Sequence, residues 1–294
     1  MIRLAVRVRR EDAELVLAEL LDLAPAGVEE VAERAGVVEF AVYGAPGELP
    51  GLPDLRAAAG EALVEISTSE IADDWSERWR TFHHPILVEP PAGAEGRVPA
   101  LGIRPPWAAA DAWGAHEVCE IVIDPGQAFG TGSHATTRLC LELLLELAAH
   151  ERARGTVLDI GTGSGVLAIA AAMLGFAPVL ALDHERESVA AAHANAAVNR
   201  VDLDVRRHDI RSAPLELPPA RATAGGVVVL ANLLAPLLET LAGALPSLPA
   251  HVIAGGLLHD QVDGVARVFA QRAGLRERAR RERGEWSALW LVPA

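Results

Sequence analysis

The chain has 294 residues, of which 51% are hydrophobic, and this is enough to bury the cores of one large and one small domain. Its 40 acidic and 26 basic residues give a net charge of -14, which disfavours binding to nucleic-acid phosphates and suits a basic partner as well as simple solubility. The 2 cysteines have no CxxC spacing, which disfavours a disulfide framework or a zinc site, and we expect no metal ligands.

Residues 1–70 have the element order of a small α+β domain. Strand-like alternation over 2–8 precedes a segment with apolar residues at helical spacing, 11–24. Two short strands around Gly36, a short helix and a last strand follow. The order strand, helix, strand, strand, helix, strand is the split βαβ, ferredoxin-like pattern. The N-terminus lacks the architecture of a signal peptide, so we expect a cytoplasmic protein.

The next segment, 71–117, is predicted to be a linker helix and a lead-in to the following domain. Trp75, Trp79 and Phe82 fall on one face of a helix. That face either packs on a domain or offers an aromatic platform to a ligand. Residues 90–107 are rich in proline and glycine, which predicts loop and turns.

From 118 to 294, strand-like and helix-like segments alternate, which predicts an open, mostly parallel, doubly wound sheet of the α/β, Rossmann-like class. The tail adds two antiparallel strands. Two uncharged runs, 165–182 and 222–238, approach the length of a membrane span but are interrupted by glycine and proline. We therefore assign them to buried elements of the sheet and expect no membrane binding.

The segment TVLDIGTGSG takes a buried strand into Gly161, Gly163 and Gly165 and then into an alanine-rich helix. Absent side chains let a ligand touch the backbone, and the helix N-terminus supplies free N–H groups. Asp183 ends the next strand, about twenty residues after the glycines. An acid at this position binds ribose hydroxyls in doubly wound folds, and the alternative role for Asp183 is to cap the following helix. Asp209 ends the third strand, near the expected position of an adenine. These residues indicate a nucleoside-containing ligand.

Two cofactors compete for this loop. NAD usually has the spacing GxGxxG and needs room for a pyrophosphate, whereas the spacing GxGxG suits S-adenosylmethionine. The segments VLDIGTGSGVLAIAAAMLG and VLALD resemble the first two motifs of class I methyltransferases. Asn232 ends the fourth strand, where its amide can accept a hydrogen bond from an amine substrate. Capping of the next helix is the alternative role for Asn232.

Three segments, DPGQAFGTGSHATTRLCLELL, VLDIGTGSGVLAIAAAMLG and ANLLAPLL, together resemble the PrmA-type methyltransferases, which modify protein L-eleven of the large ribosomal subunit. The likeness extends to DWSERWRTFHHP, IRPPW and EWSALWL, and so covers residues 70–293. The stretch PG-AFGTG-H-TT distinguishes this family from generic methyltransferases. AGGLL stands where the family has a segment closer to SGIL, and this departure removes no cofactor residue.

The resemblance implies the roles of residues by position. Thr137, Gly161, Asp183 and Asn232 match cofactor-binding positions of the family. Phe129 matches a loop position beside the methyl donor and the incoming amine, so we assign Phe129 and Asn232 to the catalytic site. His134 lies in the same loop. We favour a role for it in fixing the loop over a role as a base, because no Ser–His–Asp or Cys–His order accompanies it.

The resemblance also implies the reaction. Methyl groups pass from S-adenosylmethionine, which becomes S-adenosylhomocysteine, to lysine side chains or the N-terminal α-amine of protein L-eleven. It further implies that domain 1–70 recognises the substrate protein through a flexible linker, and we expect a monomer. Three alternatives stay open: a paralogue that methylates another protein or a small amine, a nicotinamide-dependent oxidoreductase, and a non-catalytic binding module.

Overall fold

A computed structural model of the chain divides it into two compact units, 1–82 and 83–294. No helix among the described residues combines the length and the apolar character that crossing a bilayer requires. The structure describes residues 2–13, 16–17, 20, 23, 29–34, 36–44, 49–70, 84–94, 96–109, 113, 118–124, 134–150, 154–215 and 225–294.

The first unit contains an antiparallel sheet in the order β2-β3-β1-β4. The described residues between 13 and 23 are helical, and a second helix precedes the last strand. This arrangement confirms the ferredoxin-like prediction. The bounds of its elements are β1 Ile2–Arg9, β2 Glu29–Arg34, β3 Val37–Gly44, α1 Leu52–Ala59 and β4 Leu63–Glu70. The predicted linker helix with Trp75, Trp79 and Phe82 lies outside the described residues.

The alternation of apolar and charged residues along the strands explains how the first unit packs. Leu4, Val6 and Val8 of β1 are buried in one core with Phe40 of β3 and Leu55 of α1. Because successive side chains of a strand point to opposite faces, Arg3 and Arg7, each adjacent to at least one of these residues, lie on the other face. There the Glu39 carboxylate pairs with Arg3 and Arg7.

The second unit begins with a small three-stranded sheet in the order β5-β6-β7. Its strands are β5 Ile86–Val88, β6 Ala100–Arg104 and β7 Val118–Val122. The prediction of loop and turns over 90–107 is therefore wrong at β6. Gly102, which resembled a turn residue, instead lies under Trp113, where an added Cβ would stand 2.6 Å from the indole Cε2. The predicted strand β7 forms, but it joins this small sheet and not the main one.

The main sheet has seven strands in the order β10-β9-β8-β11-β12-β14-β13. The strands are parallel except β14, which runs against both of its neighbours and confirms the antiparallel tail. The bounds of the elements are α2 Ala135–His150, β8 Thr156–Ile160, α3 Val166–Met173, β9 Val179–Asp183, α4 Arg186–Asn199, β10 Asp204–Arg207, β11 Val227–Asn232, α5 Ala235–Ala244, β12 His251–Leu258, α6 Val262–Ala273, β13 Leu275–Arg283 and β14 Trp286–Pro293.

Both faces of the main sheet are covered by helices. Val157 of β8 faces a core formed with α2, α3 and α4, whereas its neighbour Leu158 faces a core formed with α5 and α6. This is the doubly wound α/β arrangement that the alternating pattern predicts. Beside β8 the strand order reverses, with β9 on one side and β11 on the other. Ligands of such sheets bind beyond the carboxyl ends of the strands at this point, which locates the candidate site.

Candidate functional site

Three glycines in left-handed conformations turn the chain from β8 into α3. Gly161, Gly163 and Gly165 have φ values of 71°, 53° and 85°, which residues with a side chain rarely adopt. A Cβ added to Gly161 would lie 2.4 Å from Cδ2 of Leu233. The loop therefore needs glycine both for its backbone conformation and for the space beside Leu233.

The N–H groups of this glycine loop are mostly committed within the protein. The N–H groups of Gly161 and Thr162 donate to the carbonyl oxygen of Leu182, at 2.8 Å and 3.0 Å, and that of Gly165 donates to Thr162. The N–H of Gly163 donates to the Asp183 carboxylate. These four N–H groups precede Val166, the first residue of α3, and none of them is free to bind a ligand. A pyrophosphate needs such donors, so this loop disfavours a dinucleotide.

Asp183 connects the glycine loop to the start of α4. Its Oδ2 accepts a hydrogen bond of 2.9 Å from Gly163, and its Oδ1 accepts one of 3.0 Å from the backbone of Glu185. The side chain is only 7% exposed. Glu185, and not Asp183, is the N-cap residue of α4, so the alternative of Asp183 as a helix cap is wrong.

An open cleft lies at the carboxyl ends of β8, β9 and β10, and Gly161, Asp183 and Asp209 line it together as predicted. Asp209 is held by two hydrogen bonds of 2.9 Å from the Arg211 guanidinium, which with the Arg211 N–H lower the pKa of this carboxyl to about 2. The rest of the lining consists of polar side chains, His184, His208 and Arg211, and of apolar ones, Ile160, Ile210, Leu233 and Leu237.

Asp159 is a buried carboxyl beneath the glycine loop that we did not predict. It is 1% exposed, and its Oδ2 accepts a hydrogen bond of 2.6 Å from the Thr162 hydroxyl. Burial raises the pKa of Asp159 to about 7, against the opposing effect of the bond from Thr162. The available signal was an acid inside an otherwise apolar strand, since such a residue is rarely buried without a partner.

Asn232 ends β11, and its amide nitrogen donates a hydrogen bond of 3.2 Å to the Thr137 hydroxyl in α2. Its amide oxygen is buried and has no hydrogen-bond partner among the described residues. The N-cap residue of α5 is Leu234, so the alternative of Asn232 as a helix cap is wrong. Two predicted site residues from distant parts of the chain are thus in contact, and one strong acceptor is left over.

His134 lies directly before α2. Its Nδ1 is 2.8 Å from the Thr136 hydroxyl and accepts a weaker bond of 3.4 Å from the Thr136 N–H. Its ring meets Trp286 edge to face, with centroids 5.2 Å apart. These contacts support the role of His134 in fixing the loop. Phe129 lies outside the described residues.

Comparison with known proteins gives a consistent result. The model of the family described as ribosomal protein L11 methyltransferase (PrmA) matches residues 54–292. The ribosomal protein L11 methyltransferase of Geobacter sulfurreducens is 39% identical over 243 residues, which are 81% of this chain and 73% of that protein. Its counterpart from Syntrophotalea carbinolica is 38% identical over 240 residues, 78% of this chain and 71% of that protein.

A solved structure is also similar. The crystal structure of ribosomal protein L11 methylase from Lactobacillus delbrueckii subsp. bulgaricus superposes with a TM-score of 0.55 at 28% sequence identity. The superposition covers 70% of this chain and 98% of that chain.

Proposed function

Because this chain belongs to the ribosomal protein L11 methyltransferase (PrmA) family, we propose that it transfers methyl groups from S-adenosylmethionine to amino groups of ribosomal protein L11. The observation that carries this proposal is the buried amide oxygen of Asn232 at the end of β11, which has no hydrogen-bond partner in the part of the chain that the structure describes. A buried acceptor without a partner is costly, and an incoming amine offers the N–H that would satisfy it.

The cleft suits the cofactor. Asp183, held in place by Gly163, would bind the ribose hydroxyls, and Ile210 and Leu233 would contact the adenine. The glycine loop approaches the ligand through backbone without side chains. Its committed N–H groups favour S-adenosylmethionine, which has no phosphate, over a dinucleotide. Family membership likewise supports methyl transfer over hydride transfer or a purely binding role.

The reaction requires a neutral amine. A free lysine is mostly protonated at neutral pH, and a dry pocket disfavours the ammonium form. S-adenosylmethionine supplies a methyl group on a sulfonium, whose positive charge acts in the same direction. The protein then needs only to hold the amine in position and to exclude water, and it does not need a strong base. Asn232 would accept an N–H of the amine, and Thr137 fixes the orientation of that amide.

We propose the remaining roles on the family resemblance. Phe129 forms a wall beside the amine, and residues 1–70 recognise the ribosomal protein while 71–117 join them to the methyltransferase domain. The enzyme acts as a monomer in the cytoplasm on lysine side chains or the N-terminal α-amine. The net charge of -14 supports a basic protein substrate over direct nucleic-acid binding.

The direct test combines two measurements. Purified ribosomal protein L11 is incubated with the enzyme and methyl-deuterated S-adenosylmethionine, and mass spectrometry of its peptides locates the label. Calorimetry compares S-adenosylmethionine with NADH. We expect labelled amino groups and binding of the methyl donor alone. Asn232→Ala should abolish most labelling while its melting temperature stays near that of the wild type. Labelling of another substrate in place of ribosomal protein L11 would support the paralogue.

A further inference from the structure

The end of β7 is bound by side chains where a neighbouring strand would bind it. Asn199 of α4 accepts a hydrogen bond of 2.8 Å from the Val122 N–H and donates one of 2.7 Å to the Val122 carbonyl. Asn195, one turn earlier, accepts a bond of 3.0 Å from the Asp124 N–H and donates one of 3.4 Å to the Asp124 carbonyl. Two helical amides thus reproduce the every-second-residue pattern of an antiparallel strand pair.

Only one of these two amides also reaches the glycine loop. The Asn195 nitrogen donates a hydrogen bond of 2.8 Å to the carbonyl oxygen of Ser164, between Gly163 and Gly165. The second bond of the Asn199 nitrogen instead stays within the helix, 2.8 Å from the Asn195 carbonyl. Asn195 is 2% exposed, so its hydrogen-bonding groups are committed to backbone of these two segments.

The helix that carries Asn195 also packs tightly on the glycine loop. A Cβ added to Gly165 would lie 3.2 Å from the Cα of Ala192, one turn before Asn195. At the start of the helix, Asp183 bonds to both Gly163 and Glu185. The glycine loop and α4 therefore form one rigid support, and Asn195 extends this support to the end of β7.

We propose that Asn195 is a positioning residue that holds the cofactor loop and the end of β7 in one fixed arrangement. Ile123, next to Asp124, is buried in the same core as Leu139 of α2, the helix that carries Thr137, which orients Asn232. Loss of the Asn195 amide would therefore weaken methyl-donor binding through Ser164 and amine capture through Asp124. This inference rests on the proposed methyltransferase function.

Asn199 offers a matched control for this inference, because it binds β7 without touching the glycine loop. For Asn195→Ala we expect the Kd for S-adenosylmethionine to rise about tenfold and the KM for ribosomal protein L11 to rise with it. For Asn199→Ala we expect that Kd to stay within about twofold of the wild type, while the KM rises. Calorimetry measures the Kd and initial rates measure the KM. Urea unfolding gives the folded fraction of each variant, by which both values are corrected.

A third variant separates the two contacts of Asn195. Asn195→Asp keeps an acceptor for the Asp124 N–H but loses the N–H groups that bond to the Ser164 carbonyl and, at the longer distance of 3.4 Å, to the Asp124 carbonyl. It should raise the Kd as much as Asn195→Ala does, with a smaller effect on the KM. If Asn195→Ala does not fold, the comparison of Asn195→Asp with Asn199→Ala carries the test.

Two results would contradict the inference while leaving the proposed function intact. One is a wild-type Kd in the folded Asn195 variants. The other is an equal rise of the Kd in Asn199→Ala, which would reduce Asn195 to general support of the helix. Failure of the wild-type enzyme to bind S-adenosylmethionine would instead reject the proposed function.

Discussion

The amide of Asn232 and the hydroxyl of Thr137 are 3.2 Å apart, although 95 positions separate them in the chain. The bond fixes the orientation of the Asn232 amide, whose buried oxygen is the acceptor that we propose for the substrate amine. Thr137, itself 1% exposed, is thus better described as the residue that orients Asn232 than as a cofactor contact alone.

Thr137→Val should separate orientation from packing. Valine keeps the shape of threonine but cannot hydrogen bond, so the amide of Asn232 becomes free to rotate. We expect turnover to fall about tenfold with little change in cofactor affinity, as measured by single-turnover rates and calorimetry. Thr136→Val is the control, because Thr136 is equally buried but bonds to His134. Equal losses in the two variants would argue against the orienting role.

Asp183→Asn tests the cofactor cleft. The substitution keeps the size of the side chain but removes the charge and one of the acceptors that bind Gly163 and Glu185. We expect the Kd for S-adenosylmethionine to rise by about ten- to a hundredfold, because hydrogen bonds to a charged group are the stronger ones. Asp209→Asn should change the Kd less, because Asp209 is already neutralised by Arg211. The reverse ranking would mean that the ribose lies nearer β10 than we propose.

Gly161→Ala should affect binding beyond its effect on stability. Gly274 has a similar φ, 64° against 71°, but nothing lies within 4 Å of its added Cβ, so Gly274→Ala incurs only the backbone cost of about 1–2 kcal/mol. Gly161→Ala must in addition displace Leu233, a lining residue of the cleft. Urea unfolding should show a larger loss for Gly161→Ala, and calorimetry should show weakened cofactor binding in that variant alone. If both variants bind the cofactor as the wild type does, Leu233 does not contact the cofactor.

The sequence predicted those parts of the site that depend on position along a strand. Gly161, Asp183 and Asn232 follow apolar runs, and the carboxyl ends of parallel strands meet at one edge of a sheet. Local spacing was sufficient to bring them together.

Other parts could not be predicted, because the partners are backbone groups far away in the chain. Asn195 is one polar residue of an alanine-rich helix until the fold places the carbonyl of Ser164 and the end of β7 beside it. The strand around Gly102 was missed for a related reason. Its glycine makes room for Trp113, a tertiary contact, in a stretch where proline and glycine otherwise predict turns.

Asp159→Asn should change how stability depends on pH. The native pKa of Asp159 is raised from 3.8 to about 7, so between these values the folded state binds more protons than the unfolded state. The contribution of this carboxyl is therefore fully present below pH 3.8 and is lost as pH rises towards 7. The free energy of unfolding of the wild type relative to the variant should fall between pH 5 and 7, by at most about 1.4 kcal/mol per pH unit. Urea unfolding at several pH values measures this difference, and a constant difference would mean that Asp159 is ionised throughout.

Leu234→Ala tests how the substrate chain is held. Leu234 is 66% exposed and lies two residues beyond Asn232, at the N-cap of α5. An exposed apolar side chain contributes little to folding stability, so a bound ligand would give it a role. A lysine substrate brings an aliphatic stem to this end of β11. We expect the KM for ribosomal protein L11 to rise several-fold, about the effect of losing one or two buried methylene contacts, with kcat and cofactor affinity unchanged. Leu248→Ala is the control, because Leu248 is 57% exposed but precedes β12, at the opposite edge of the sheet. A KM that rises equally in both variants, or in neither, would remove Leu234 from the substrate path.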